Sequence, residues 1–194
     1  MPAGADAAGF MRDQLAEMNN RLLFLTAREG GLAPLQTKRA YDRYGHYQIP
    51  RIRGTFLLHQ LRLALGNDAF SRFMKDVHAR FRNRAISNPQ FMALLRNASP
   101  ALTDVADQWL ARPDLPQPRL KAGCRPDGER WKVTLEIEQP QTAPFRFWTS
   151  VCLQTEKKSF WKLIEVRGGR QTIEFILAEK PRRLVFNAGN DIPV

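Results

Sequence analysis

Near residue 116 the spacing of apolar residues changes from a helical to a stranded pattern, and this change limits how the 194-residue chain can fold. Before it, apolar residues recur every three or four positions, as on one face of an α-helix. After it, they recur every second position, as in a half-buried β-strand. Pro113, Pro116 and Pro118 mark the boundary. The chain is therefore predicted to be α+β and multidomain.

Five helices are predicted in the first half. The first ends at Gly30, and its apolar stripe consists of Met11, Leu15, Met18, Leu22 and Leu25. A polar connector over residues 32–50, which contains three tyrosines, is predicted to precede a second helix from about Arg53 to Leu65. Asn88 is the predicted cap of the fourth helix, because asparagine favours that position and Pro89 follows it.

The second half is predicted to be an antiparallel β-sandwich of about six or seven strands. The alternating runs are centred on residues 131–137, 145–153, 173–177 and 184–186. Turn signals rich in proline and glycine separate them. The predicted division is a flexible lead-in over residues 1–8, a helical domain over 9–115 and a sandwich over 116–194.

Two cysteines, Cys124 and Cys152, have no metal-type spacing. Both are predicted to be unbridged, buried apolar residues on or near strands. No signal peptide or transmembrane segment is predicted, because no apolar run approaches the roughly 18 residues of a membrane span. These features leave the compartment unassigned and predict no membrane partner.

The formal charge of +11 raises the possibility of a nucleic-acid surface. The basic residues are scattered rather than grouped in one block, and no known nucleic-acid-binding pattern accompanies them. The sequence therefore disfavours nucleic acid as a partner.

No enzymatic site is complete in these residues. The chain contains no H-E-x-x-H zinc motif and no G-x-S-x-G nucleophile elbow. Of the three histidines, His59 is predicted to be a core or interface residue, and His46 is the one with a plausible site position, although a surface loop is the commoner context. No metal ligand and no cofactor is predicted in this chain.

Several segments in order carry a resemblance to a known family. Arg53-Gly54 begins an apolar helix that ends at Leu65-Gly66, with Phe70 four residues later; Gln108-Trp109-Leu110 and Lys180-Pro181 follow. This order resembles the aminopeptidase N family of zinc metallopeptidases (gluzincin aminopeptidases), in the region after their zinc motif, over about residues 50–194.

The resemblance implies a fold and a set of candidate site residues. It implies that the helical half is the end of a thermolysin-like catalytic domain and that an immunoglobulin-like sandwich follows. In the family a tyrosine before a Lys-Gly pair stabilises the oxyanion, whereas this chain has Arg51 at the aligned position and Arg53 in place of the lysine. The implied oxyanion or substrate contacts are therefore Arg51, Tyr47, Tyr44 and Arg53.

Three functions follow as hypotheses. The first is a C-terminal fragment of a zinc aminopeptidase-like protein, which hydrolyses N-terminal peptide bonds only together with an upstream zinc-binding portion. Its expected partners are that portion, a peptide substrate and, for the isolated fragment, further copies of itself. The second is a non-catalytic helical and β-sandwich interaction module, and the third, less favoured, is a basic nucleic-acid binder.

Overall fold

The computed structural model describes residues 6–31, 33–34 and 44–194, with residues 29, 45 and 46 described as backbone only. Most of the predicted lead-in, and most of the predicted connector including Tyr41, lie outside these ranges. None of the helices within them is both long and apolar enough to cross a membrane.

Five α-helices and six β-strands form the described chain, so the prediction of an α+β fold with five helices is confirmed. The helices are α1 Ala7–Glu29, α2 Tyr44–Leu65, α3 Asn67–Phe81, α4 Asn88–Ala98 and α5 Thr103–Ala111, with a short 3₁₀ turn at Pro100–Leu102. The strands are β1 Arg119–Asp127, β2 Arg130–Glu138, β3 Phe147–Gln154, β4 Ser159–Val166, β5 Arg170–Leu177 and β6 Arg183–Phe186.

Two predicted helix starts were wrong. Helix α2 begins at Tyr44 rather than near Arg53, and it contains Pro50. Proline removes one backbone hydrogen bond and disfavours helix in the preceding residues, which is why the sequence pattern indicated a connector there. The cap of α4 is Ser87 rather than Asn88, because the Ser87 side chain accepts a hydrogen bond from the Gln90 backbone.

The chain divides into two compact units. One contains residues 6–24 together with Leu115–Val194, and the other is Leu25–Asp114, so helix α1 belongs to both. The division predicted from sequence, at residues 8 and 115, stays a prediction.

The helical unit is organised around helices α2 and α5. The rings of Phe56 and Trp109 stack with centroids 6.0 Å apart, and both residues are fully buried. An edge-to-face contact joins Phe73 to Phe91 at 5.7 Å. Aromatic pairs of this kind add to the free energy gained by burying apolar surface.

The β-unit contains two three-stranded antiparallel sheets, ordered β1-β2-β5 and β4-β3-β6. Strand β3 is buried on both faces, whereas every residue of β1 is exposed. The first part of α1 belongs to this unit, since Asn190 Nδ2 donates to the Arg12 carbonyl at 3.2 Å. The two sheets bear out antiparallel pairing, and the immunoglobulin-like arrangement stays a prediction.

Both cysteines are unbridged and lie on strands. Cys152 is buried on β3, as predicted, but Cys124 on β1 is exposed, so its predicted burial was wrong. The reason is that β1 is an edge strand with neither face covered within the described residues.

Candidate functional site

Helix α2 places three of the four candidate residues on one exposed face. Tyr44, Tyr47 and Arg51 are separated by three and four positions, so they follow one another along the same side of the helix. Tyr44 is 60% exposed, Tyr47 is 46% exposed and Arg51 is also exposed. Gly54 continues this line, and among the described residues no atom beyond its own stretch of helix would lie within 4 Å of a Cβ built there.

We call this surface the α2 tyrosine face and define it as Tyr44, Tyr47, Arg51 and Gly54. It presents two phenol groups and one guanidinium, which can all donate hydrogen bonds to an oxyanion or a carboxylate. Within the described part of the chain, the space over Gly54 is open and leaves room for a ligand backbone beside the Arg51 side chain. The arrangement can bind and orient an anionic group.

Arg53, the fourth candidate, lies on the opposite side of α2. Arg53 is only 1% exposed, and its guanidinium is directed at backbone carbonyls of the helical unit. Nη2 donates to the Arg112 carbonyl at 2.6 Å and Nη1 to the Asp114 carbonyl at 3.0 Å. Nε donates to the Trp109 carbonyl at 3.3 Å, and Nη1 also lies 3.5 Å from the Pro113 carbonyl.

The Arg53 side chain therefore ties the end of α5 and the following residues 112–114 to α2. Burial lowers the pKa of Arg53 to about 10, with the Asp114 carboxylate raising it and the Arg112 guanidinium lowering it further. The side chain remains charged at neutral pH, and charge-assisted hydrogen bonds are stronger than neutral ones. This geometry assigns Arg53 a positioning role and leaves its donors engaged within the chain.

A zinc site requires a set of histidine, cysteine or carboxylate ligands that lie close together. Within the described ranges no group of three or more histidine, cysteine, aspartate or glutamate side chains is close enough to hold a metal ion. His59 is 7% exposed, and its Nδ1 lies 3.2 Å from Nη2 of Arg62. The side chain of His46 lies outside the described part.

Two polar features of the β-unit were not predicted from the sequence. Asp191 is 4% exposed, and its carboxylate accepts from the Ser150 backbone at 2.7 Å and from the Ser150 hydroxyl at 2.6 Å. The partner of Asp191 lies 41 positions earlier in the chain, so no local sequence pattern indicates this contact. The second feature is Lys162, a lysine between Phe160 and Ile164 on strand β4.

Comparison with known proteins gives structural but no sequence similarity. No protein-family model matches the chain, and no curated protein matches its sequence. Among solved structures, aminopeptidase A of Legionella pneumophila, solved in complex with aspartic acid, matches with a TM-score of 0.63 over 91% of this chain. The two are 12% identical, and the chain spans 22% of the length of that protein.

This likeness shows that the chain shares its α+β fold with part of an aminopeptidase. At this identity it supports the fold alone. The match covers both the helices and the strands, since it extends over 91% of the chain.

Proposed function

We propose that the chain is the C-terminal part of an aminopeptidase-like protein and works with a zinc-binding portion that lies upstream. The observation that carries this proposal is the fold similarity to aminopeptidase A over 91% of the chain. The ordered segments from Arg53-Gly54 to Lys180-Pro181 support it independently, because they are a property of the sequence rather than of the fold.

The chain's own residues contribute binding and orientation rather than the metal. Neither the sequence motifs nor the described side chains provide a zinc ligand set, so no chemical step is assigned to a metal held by this chain. The part we assign to it is one wall of the substrate cleft, formed by helices α2 to α5. The α2 tyrosine face would offer its donors to the carbonyl oxygen or the terminal carboxylate of a peptide.

Arg51 and Tyr47 are the residues that we expect to contact substrate. They stand four positions apart on α2, and both are exposed. Arg51 occupies the position of the family's oxyanion tyrosine, and a guanidinium there can donate two hydrogen bonds where a phenol donates one. Tyr47 is the nearest phenol along the same side of the helix.

The test begins with the coding sequence upstream of Met1. The proposal predicts an H-E-x-x-H motif there, and the joined polypeptide should hydrolyse aminoacyl 4-nitroanilides, whereas the present chain alone should not. In the joined protein, Tyr47→Phe should lower kcat about tenfold if its hydroxyl stabilises the oxyanion. Tyr44→Phe, which changes a phenol one turn further away, is the matched control.

The Arg51→Tyr variant distinguishes two explanations for the arginine at this position. Increased kcat would indicate that the arginine is a weaker substitute for the family's tyrosine, and decreased kcat would indicate that it is adapted to its own substrate. An upstream frame without H-E-x-x-H over a few hundred residues would overturn the peptidase proposal and leave a non-catalytic interaction module.

A further inference from the structure

A cleft opens in the β-unit between strand β4 of one sheet and strand β5 of the other. Both are edge strands within the described residues, since the sheet orders are β4-β3-β6 and β1-β2-β5. The cleft encloses about 560 Å³. This volume lies within the roughly 300–1,000 Å³ that is usual for small-molecule sites.

The interior of this β4–β5 cleft is mainly apolar. Leu153 is 1% exposed, Leu177 is 7% exposed, and Ile164 and Phe175 are each 9% exposed. Phe160 is half-buried beside them, whereas Leu163 at the rim is 49% exposed. A chain of methylene groups placed here would lose contact with water, which is favourable in proportion to the area covered.

The cleft and its ion-pair partners carry more lysines than carboxylates. Its two acidic residues already have lysine partners, because Glu174 pairs with Lys132 at 2.7 Å and Glu179 with Lys157 at 3.7 Å. Two further lysines, Lys158 and Lys162, line the cleft itself. In the part of the chain that the structure describes, neither has a carboxylate within ion-pair distance. The remaining charge of the cleft is positive.

Lys162 is itself exposed, and its position in the strand places it on the cleft side of β4. It pairs across the sheet with Val151, so both side chains leave the sheet on the same face. Val151 is fully buried on that face, and Phe160 and Ile164 flank Lys162 on the same side of β4. Lys158 has its ammonium 5.0 Å from the centre of the Phe160 ring. An anion bound beside these residues would lie close to two cations and to an apolar surface.

From this combination we propose that the β4–β5 cleft binds an aliphatic carboxylate. The hydrocarbon tail would lie among Leu153, Ile164 and Phe175, and the carboxylate would be held at the exposed rim by Lys162 and Lys158. The paired state of both acidic residues favours an anionic over a cationic head group, and the limited volume favours a single chain of medium length. The proposal concerns the β-unit alone and does not rest on the proposed peptidase function.

A different role for Lys162 predicts different behaviour. Lysines that point inward on edge strands also prevent strands of two molecules from pairing. In that case removing the charge would cause self-association and would leave affinity for a fatty carboxylate unaffected.

The experiment is a calorimetric titration of the chain with decanoate. We expect one saturable site with a dissociation constant below about 1 mM. Lys162→Gln should weaken binding about tenfold, because one charge-assisted contact is lost. Lys75→Gln, at an exposed position of α3 in the helical unit, is the matched control and should bind like the unaltered chain. Decanol and decyltrimethylammonium should bind at least tenfold more weakly than decanoate.

Ala178→Trp provides a second variant with little risk to folding, because Ala178 lines the cleft but is exposed. The larger ring should block the mouth and abolish decanoate binding while the thermal unfolding midpoint stays unchanged. Equal affinity for decanol and decanoate, no saturable binding, or a Lys162→Gln variant that self-associates but binds normally would each overturn the proposal.

Discussion

Four backbone carbonyls surround the guanidinium of Arg53, from Trp109 and from residues 112 to 114. Those carbonyls belong to the end of α5 and the segment after it, where no further helical N–H groups are available to pair with them. The arginine therefore donates to acceptors that the end of a helix leaves without intrahelical donors. Its neighbour Arg51, two positions earlier, is exposed on the other side of the helix.

Replacing Arg53 by methionine should lower the free energy of unfolding by about 3 kcal/mol, because one buried and several partly buried carbonyls lose a charged donor. Arg51→Met is the control, and we expect a change within about 0.5 kcal/mol there. Urea unfolding followed by the helical circular dichroism signal measures both. Equal effects of the two substitutions would contradict the assigned role of Arg53.

Glu165 on β4 is held between two arginines. Its carboxylate accepts from Arg146 Nε and from Arg167 Nη2, each at 2.7 Å. Burial alone would raise the pKa of Glu165, but the hydrogen bonds from Arg167 and Arg146 outweigh it and hold the pKa below its ordinary 4.5. A carboxyl with a lowered folded-state pKa binds fewer protons when folded than when unfolded, so it stabilises the fold above that range.

Glu165→Gln should therefore lower the free energy of unfolding at neutral pH by about 1 kcal/mol. The value is modest because the ion pairs are partly exposed. The difference from the unaltered chain should shrink as the pH falls from 4.5 through the lowered pKa, where the native carboxylate becomes protonated. Unfolding curves at a series of pH values check this. Glu129→Gln, at an exposed turn, should show no such pH-dependent difference.

Among the structural elements, helix α4 shows how a single cap determines where a helix begins. The Ser87 backbone N–H donates to Gln90 Oε1 at 2.9 Å, and the Gln90 N–H donates to the Ser87 hydroxyl at 3.4 Å. These reciprocal bonds satisfy two backbone groups that helix starts leave unpaired.

Ser87→Ala should lower the free energy of unfolding by about 1 kcal/mol through loss of this cap. Asn88→Ala should change it by less than about 0.5 kcal/mol, because Asn88 is exposed and already within the helix. Thermal and urea unfolding of the two variants distinguish the observed cap from the one predicted by sequence. A larger loss at Asn88 would contradict the capping geometry.

Elements with a clear period were predictable, and those without one were missed. The α1 stripe was recognised, and Leu15, Leu22 and Leu25 are buried as expected. Strand β1 gave no clear signal because all of its residues are exposed, and β4 gave none because Trp161 and Leu163 add apolar residues on its second face. Hydrophobic periodicity reports burial on one side, so it gives no signal for an exposed strand such as β1 and is obscured in β4, where exposed apolar residues alternate with the inward ones.

The candidate site was predictable only in part, for a similar reason. The resemblance located Arg51, Tyr47 and Tyr44 in one short segment, but the helix through Pro50 is what aligns them on one face. The burial of Arg53 depends on carbonyls 56 to 61 positions away, which no local pattern encodes. The charge of the β4–β5 cleft likewise results from pairings between strands that are separate in sequence.

At the scale of the whole molecule, net charge and exposed apolar side chains act in opposite directions. A charge of +11 keeps copies of the chain apart. Exposed aromatic residues favour association, and Phe10 and Phe24 on α1 are 53% and 62% exposed. They are 14 positions apart, about four helical turns, and so lie on nearly the same side of the helix.

We therefore expect the chain to form dimers or larger oligomers at tens of micromolar, and the association to strengthen with salt. Raising ionic strength from 0.1 M to 1 M shortens the screening length from about 10 Å to about 3 Å, which weakens repulsion between like-charged copies and leaves apolar contacts intact. Light scattering at both salt concentrations measures this association. Phe24→Ser should reduce the oligomeric fraction, whereas Glu17→Gln on the same helix should not.

A monomer under both conditions would contradict the prediction. Association that weakens with salt would instead indicate an ionic contact, because ion pairs lose strength when screened while buried apolar area does not.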